Sequence, residues 1–258
     1  RLELKVVRSK KGVLANVNIA AGKEIIFSRN FSETDLRRIG HRTAQASLRV
    51  LTGETGFFLS KIAFVLKYKG KKEIWISDWD GKNAAALTGW SGISLLPAFG
   101  LDGRELVFTS YKDGNPDLYL FDIKKKTIQL LSGAQGLNVS AAFDPLGEGW
   151  VVTLSKGKDP NLYFVSREGK IIRRLTSTLG IDTAATFSPN GSEIAFTTDR
   201  SGNPQIFIMG RDTSNPRRLT YGFFWADEAD WSGDGSAIAF SAKKASDEKF
   251  QIFLEYFS

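Results

Sequence analysis

From Lys61 to about Phe240 the chain repeats itself at a constant spacing of 44 residues, and no other feature constrains its fold as strongly. Phe99, Phe143, Phe187 and Trp231 share one register. So do Gly103, Gly147, Gly191 and Gly235, which close the turns Leu101-Asp102-Gly103, Pro145-Leu146-Gly147, Pro189-Asn190-Gly191 and Gly233-Asp234-Gly235. An apolar track runs Ile62 to Val65, Leu106 to Thr109, Trp150 to Thr153, Ile194 to Thr197 and Ile238 to Ser241. Another runs Ile74 to Ile76, Leu118 to Leu120, Leu162 to Phe164 and Ile206 to Ile208, returning as Ile252 to Leu254 after a two-residue insertion. A period of this length is one supersecondary unit stacked on its own copies.

Within the unit the apolar stretches are short, rich in β-branched and aromatic residues, and separated by Gly, Pro, Asn and Asp, so each reads as a strand ending in a turn. The stretch 96–135 predicts four strands, at Pro97 to Phe99, Glu105 to Thr109, Asp117 to Asp122 and Thr127 to Leu131. Asp113 to Pro116, Lys158 to Asn161 and Ser201 to Pro204 read as hairpin tips, because Gly supplies positive φ and Pro fixes its own. No room is left for a helix. The fold class is therefore mainly β, a β-propeller of four-stranded 44-residue blades. Residues 61–88 supply three strands without an inner one, three full blades follow, and Asp230 to Tyr256 supplies three more strands, about 4.5 blades in all. The expectation is a fragment of a closed propeller, since a propeller closes by completing one terminal blade with the other.

The N-terminal part, 1–55, is organised differently from the propeller at 56–258. Leu2 to Val6, Val13 to Ile19 and Glu24 to Ser28 read as strands, with turns at Lys11-Gly12 and Ala21-Gly22. A helix follows, with Ser32 and Asp35 as a capping box, Leu36, Ile39, Thr43, Ala46 and Val50 on the 3.6-residue period, and Gly53 as its stop. This is part of a small α/β domain. It also carries the charge: residues 1–56 hold 11 Lys and Arg against 5 Asp and Glu, within a net charge of +7 for the chain. Few aromatics interleave with those cations, so no nucleic-acid face is expected. No run approaches the roughly 18 apolar residues of a membrane span. With no Cys, disulfides, thiolate metal sites and thiol nucleophiles are excluded.

Phe196 to Phe207 (FTTDRSGNPQIF), Thr186 to Gly191 (TFSPNG), Leu219-Thr220, and the junction Leu51 to Val65 resemble the TolB family of propeller proteins, over essentially the whole chain. The resemblance implies a six-bladed propeller in the periplasm, belonging to the Tol-Pal envelope system. It also implies that the propeller binds Pal, the peptidoglycan-associated lipoprotein, and that the N-terminal region engages the inner-membrane protein TolA. Propellers attached to serine peptidases use similar repeats. The alternative is thus the propeller of a prolyl-oligopeptidase-like enzyme whose catalytic domain lies outside this chain.

Residues able to perform chemistry are scarce. The nearest string to a nucleophile elbow, Gly89-Trp90-Ser91-Gly92-Ile93, lacks the final Gly and the strand-to-helix context, so Ser91 reads as a loop residue. His41, the one histidine, lies off the apolar stripe of the helix and reads as a surface residue. Asp182, Asp227, Glu228 and Asp230 have the hard-oxygen chemistry that Ca²⁺ in the central channel would need. Their other reading is as solvated loop charges, and no cofactor is expected. The runs Lys69 to Lys72 and Lys124 to Lys126 read as solvated turns that discourage edge pairing. The expected character is a non-enzymatic monomer that inserts in no membrane.

Binding on a propeller belongs to loops held by a rigid scaffold. The connections 91–96, 135–140, 179–184 and 223–228 each lead into an inner strand and converge on one face. In the TolB family that face carries the Pal site. By position, the partner-binding candidates are Leu95, Asn138, Ser140, Asp182, Thr183, Trp225, Asp227 and Glu228.

Overall fold

The computed structural model describes all residues except Arg1, Lys11, Thr55, Ser91, Gly157 and Ser258. The chain separates into two compact units, 1–62 with 76–85 and 63–75 with 86–258. In the first, β1 (Leu2–Ser9), β2 (Gly12–Ala21) and β3 (Glu24–Glu33) form an antiparallel sheet in chain order. Alternation along β2 buries Val13, Ala15, Val17 and Ile19 on one face, the first three packed with Phe31 and with Ile39 of α1 (Leu36–Thr52). The helix cap differs from the expected box. Ser32 stays in the ladder opposite Leu14, which prolongs β3, and Asp35 is the N-cap, its carboxylate accepting from the Arg38 N–H at 2.9 Å. Gly53 ends the helix at φ 79°, donating its N–H to the Arg49 carbonyl.

His41 is not a free surface residue. Its ring lies 5.6 Å from that of Trp79, its Nε2 is 3.6 Å from Asp80, and its side chain is 17% exposed. Arg37, one turn earlier on the helix, reaches both Asp78 and Asp80. Burial raises the Asp78 carboxyl, but hydrogen bonds from Lys61, Arg37 and Asn83 outweigh it and hold the group well below the usual carboxylate range.

The repeats form sheets as their periodicity requires. A three-stranded sheet comes first: β4 (Lys61–Tyr68), β5 (Lys71–Asp78) and β6 (Ala85–Ala86). The first four-stranded sheet is β7 (Ser94–Phe99), β8 (Glu105–Ser110), β9 (Asp117–Asp122) and β10 (Thr127–Ser132). The second is β11 (Asn138–Phe143), β12 (Gly149–Leu154), β13 (Asn161–Ser166) and β14 (Ile171–Arg174). The third is β15 (Asp182–Phe187), β16 (Glu193–Thr198), β17 (Gln205–Gly210) and β18 (Arg217–Arg218). The series ends in the three-stranded β19 (Trp225–Trp231), β20 (Ala237–Lys243) and β21 (Gln251–Tyr256). Phe99, Phe143, Phe187 and Trp231 each end an inner strand, as their shared register requires.

Bonds between neighbouring sheets keep the same period. The N–H groups of Asn138, Asp182 and Ala226 donate to the carbonyls of Pro116, Pro160 and Pro204 in the preceding sheet, at 2.9–3.0 Å. The Thr153 hydroxyl donates to Thr183, and that of Thr197 to Asp227, so the second strand of one sheet is tied to the inner strand of the next. At the other end of the sheets, Arg167 reaches back to Glu105, and Arg211 makes a bidentate pair with the fully buried Asp144 and also binds Glu148. Burial raises the Asp144 carboxyl, but Arg211 and the Leu146 N–H lower it further, for a net depression.

Arg211→Ala should lower stability by about 3 kcal/mol in urea unfolding, because it leaves Asp144 buried and unpaired. The Asp144 contribution is full above the ordinary carboxylate pKa and is lost as pH falls through its depressed folded value, so Asp144→Asn should flatten the acid limb of the stability profile. One inter-sheet tie is missing. Val139 stands where Thr183 and Asp227 accept, and the buried Thr109 hydroxyl has no hydrogen-bond partner. Val139→Thr should raise stability by about 1 kcal/mol by completing the bond.

Candidate functional site

Successive inner strands surround a central cavity of about 660 Å³. Alanines and inner-strand phenylalanines make up half of its wall, with Ser140, Thr186, Glu228 and Asp230 as its polar side chains nearest the bulges. Each inner strand breaks register once, between Leu95 and Ala98, Val139 and Ala141, Thr183 and Thr186, and Asp227 and Asp230. At each break a non-glycine residue takes positive φ: Leu96 at 53°, Ser140 at 50°, Ala184 at 48° and Glu228 at 53°. Four β-bulges therefore recur at one register on the channel wall, where a bulge re-aims side chains at the cost of backbone strain.

The expected connecting loops are shorter than their sequence suggested. The inner strands begin at Ser94, Asn138, Asp182 and Trp225, so all eight candidates lie on strands. The cause is the backbone bond from the preceding sheet's proline carbonyl, which at Asn138 and Asp182 recruits the opening residue into regular structure. Asn138 and Asp182 are fully buried. The Asn138 amide donates to the carbonyls of Ala134 and Gly136, while its oxygen accepts from Ser132 and Ala134. Asp182 accepts from Thr178 at 2.6 Å and from Arg200 at 3.1 Å. These two side chains shape the connections from inside and present nothing to a partner.

Leu95, Ser140, Thr183, Trp225 and Asp227 are half-buried, and Glu228 is exposed. Desolvation in the channel wall, joined by the charge of Asp227, raises the Glu228 carboxyl. Desolvation raises Asp230 as well, against the Thr186 hydroxyl at 3.4 Å. Among the described residues no three His, Cys, Asp or Glu side chains are grouped to hold a metal. Ser91 lies outside the described residues.

One track was missed by the sequence reading. Ile93, Leu137 and Ile181 share the 44-residue register with Trp225 and are 42%, 39% and 48% exposed at the channel end where inner strands begin. Each is fixed by its carbonyl, which accepts from the N–H of Tyr111, Ser155 or Asp199. Beside those donors stand Lys112, Lys156 and Arg200, each over an aromatic ring of its own sheet. The signal was available as the same period carried one residue ahead of the inner strand.

The TolB beta propeller domain profile matches residues 48–256. The chain belongs to the TolB β-propeller family. It is 36% identical over 107 residues to the Tol-Pal system protein TolB of Myxococcus xanthus strain DK1622, covering 41% of this chain and 25% of that protein. It is 38% identical over 112 residues to a TolB homolog of Chlorobaculum tepidum, covering 42% and 26%. The matches thus span about a quarter of the length of these curated TolB relatives. The crystal structure of TolB from Acinetobacter baumannii superposes with TM-score 0.84 at 24% identity, over 99% of this chain and 66% of that one, a likeness of fold alone. Puromycin hydrolase shares the fold less closely, with TM-score 0.56 at 11% identity over 96% of this chain and 42% of that one.

Ala184→Val places a β-branched side chain at positive φ, where L-residues are strained, and should cost about 1 to 3 kcal/mol in urea unfolding. Ala184 lines the open cavity, so the loss reports backbone strain more than overpacking.

Proposed function

We propose that this TolB-family chain is a non-enzymatic protein-binding module of the Tol-Pal envelope system, acting in the periplasm. In this reading a Pal-like peptidoglycan-associated lipoprotein docks at the mouth of the central channel, and a TolA-like inner-membrane protein engages the N-terminal unit. The observation that carries it is the exposed apolar track Ile93, Leu137 and Ile181, continued by Trp225, around a wall of recurring bulges. A solvent-facing series of large apolar groups on a rigid scaffold is what a protein interface needs, since a few such anchors hold most of its binding energy. Ser140, Thr183, Asp227 and Glu228 supply the polar contacts around them, and Leu95 a further apolar one. The relative from Myxococcus xanthus, which bears the Tol-Pal name, supports the same assignment.

Titration calorimetry with the periplasmic domain of a Pal lipoprotein tests this. Ile181→Ala and Trp225→Ala should each weaken binding by about 1 to 3 kcal/mol, with urea unfolding separating lost contacts from lost fold. Neutralising Lys124, Lys125 and Lys126, which sit in and beside the turn at the opposite end of a sheet, should leave affinity unchanged. Loss of binding from the lysine changes with the track changes silent would place the interface elsewhere.

A further inference from the structure

The turn that follows each inner strand has one fixed residue and one that varies. Gly103, Gly147, Gly191 and Gly235 all take positive φ, 72° at Gly191, where a Cβ would meet Leu146 Cγ at 3.0 Å, so the register keeps glycine. The residue before it is Asp102, Leu146, Asn190 or Asp234. Asn190-Gly191 is thereby the only Asn-Gly pair in the chain: Asn115, Asn203 and Asn215 precede Pro, which has no N–H, and every other Asn precedes a residue with a Cβ. Asn190 is exposed, and its Oδ1 accepts from the Ser188 hydroxyl at 2.8 Å, the Ser192 N–H at 3.0 Å and the Ser192 hydroxyl at 2.7 Å. Its Nδ2 has no hydrogen-bond partner among the described residues. One repeat later the Asp234 carboxylate occupies the same cradle, accepting from the Ser232 hydroxyl at 2.6 Å, the Ser236 N–H at 3.0 Å and the Ser236 hydroxyl at 2.8 Å. Those bonds, the Ser232 hydroxyl first, hold the Asp234 carboxyl below the usual range, at about 2.

We propose that Asn190 is a self-modification site, at which the Gly191 backbone nitrogen displaces the side-chain amide and the position becomes an aspartate. The Gly191 nitrogen forms a bond to Asn190 Cγ and the Cγ–Nδ2 bond breaks. Nδ2 leaves as ammonia, carrying the proton that the Gly191 nitrogen gives up. Negative charge that develops on Oδ1 during the attack meets the three donors already in place, the arrangement by which an oxyanion hole lowers such a barrier. The resulting cyclic imide takes up water at Cγ, its Cγ–N bond breaks, and a proton from the water returns to the Gly191 nitrogen. The new carboxylate then has the donor set that holds Asp234. Attack requires only the turn to open, since the Gly191 N–H is bonded to the Ser188 carbonyl at 2.8 Å while β15 and β16 on either side are paired to each other. Ser188 and Pro189 line the central cavity, so the change sets a new charge near the end where the inner strands finish.

Peptide mass spectrometry after incubation of the full chain in heavy-oxygen water tests this. Loss of the amide with uptake of one solvent oxygen is expected at Asn190 and at no other asparagine, over the time in which a free peptide spanning residues 186–194 converts. Ser192→Ala, at an exposed position, removes one donor and should slow the conversion about fivefold, the share of one neutral hydrogen bond, with circular dichroism and the urea midpoint confirming the fold. Asn190→Asp should unfold at the same or a higher urea concentration than the unaltered chain, because the cradle accepts a carboxylate. A folded chain that keeps its amide after the free peptide has converted, earlier conversion at another asparagine, an unchanged or faster rate in folded Ser192→Ala, or a lower urea midpoint for Asn190→Asp would each overturn the proposal.

Discussion

The propeller depends on how one sheet is tied to the start of the next inner strand, a tie made at three of the four inner strands. There a backbone N–H meets the proline carbonyl of the preceding sheet, at Asn138, Asp182 and Ala226 alike. A hairpin tip thereby does two things: Pro and Gly set its turn, and its carbonyl fixes where the next sheet begins. Within three of the sheets a buried threonine holds the outer edge, where the Thr88, Thr176 and Thr220 hydroxyls accept from the N–H groups of Ile74, Leu162 and Ile206. The last three sheets are thus placed by backbone groups, two of them also by the Thr153 and Thr197 hydroxyls, which leaves the large side chains free to fill the space between sheets.

From that placement the channel follows. Each inner strand, closed by an aromatic at its last residue, absorbs one extra residue along its length as a bulge, at Leu96, Ser140, Ala184 and Glu228. None of these is glycine, so the backbone strain is borne at four equivalent points on the channel wall. The strain lies at one register facing one cavity, and the exposed apolar track begins three residues earlier.

Differences between copies are as informative as the repeat. Val139 leaves Thr109 without the bond that Thr153 and Thr197 make, and Trp150 puts an indole where the other sheets have Leu106, Ile194 and Ile238. The repeat fixes backbone geometry; the side chains that depart from it create the local chemistry. Asp144 is a departure of a third kind, a buried carboxylate stabilised by a distant arginine of the next sheet.

The sequence alone determined the strand pattern, the 44-residue unit, the propeller and the helix with its Gly53 stop, because turn chemistry and side-chain alternation are local and recur four times. It read the N-cap one turn early, since whether Ser32 caps a helix or stays opposite Leu14 is settled by strand pairing. Asn138 and Asp182 read as loop groups open to a partner, yet both are buried, because only the neighbouring sheet's proline and the folded-over connection surround them. His41 read as surface for the same reason: Asp80 and Trp79 lie far along the chain. Which polar groups face solvent is decided by contacts between segments distant in sequence, and a period along the chain carries no record of them.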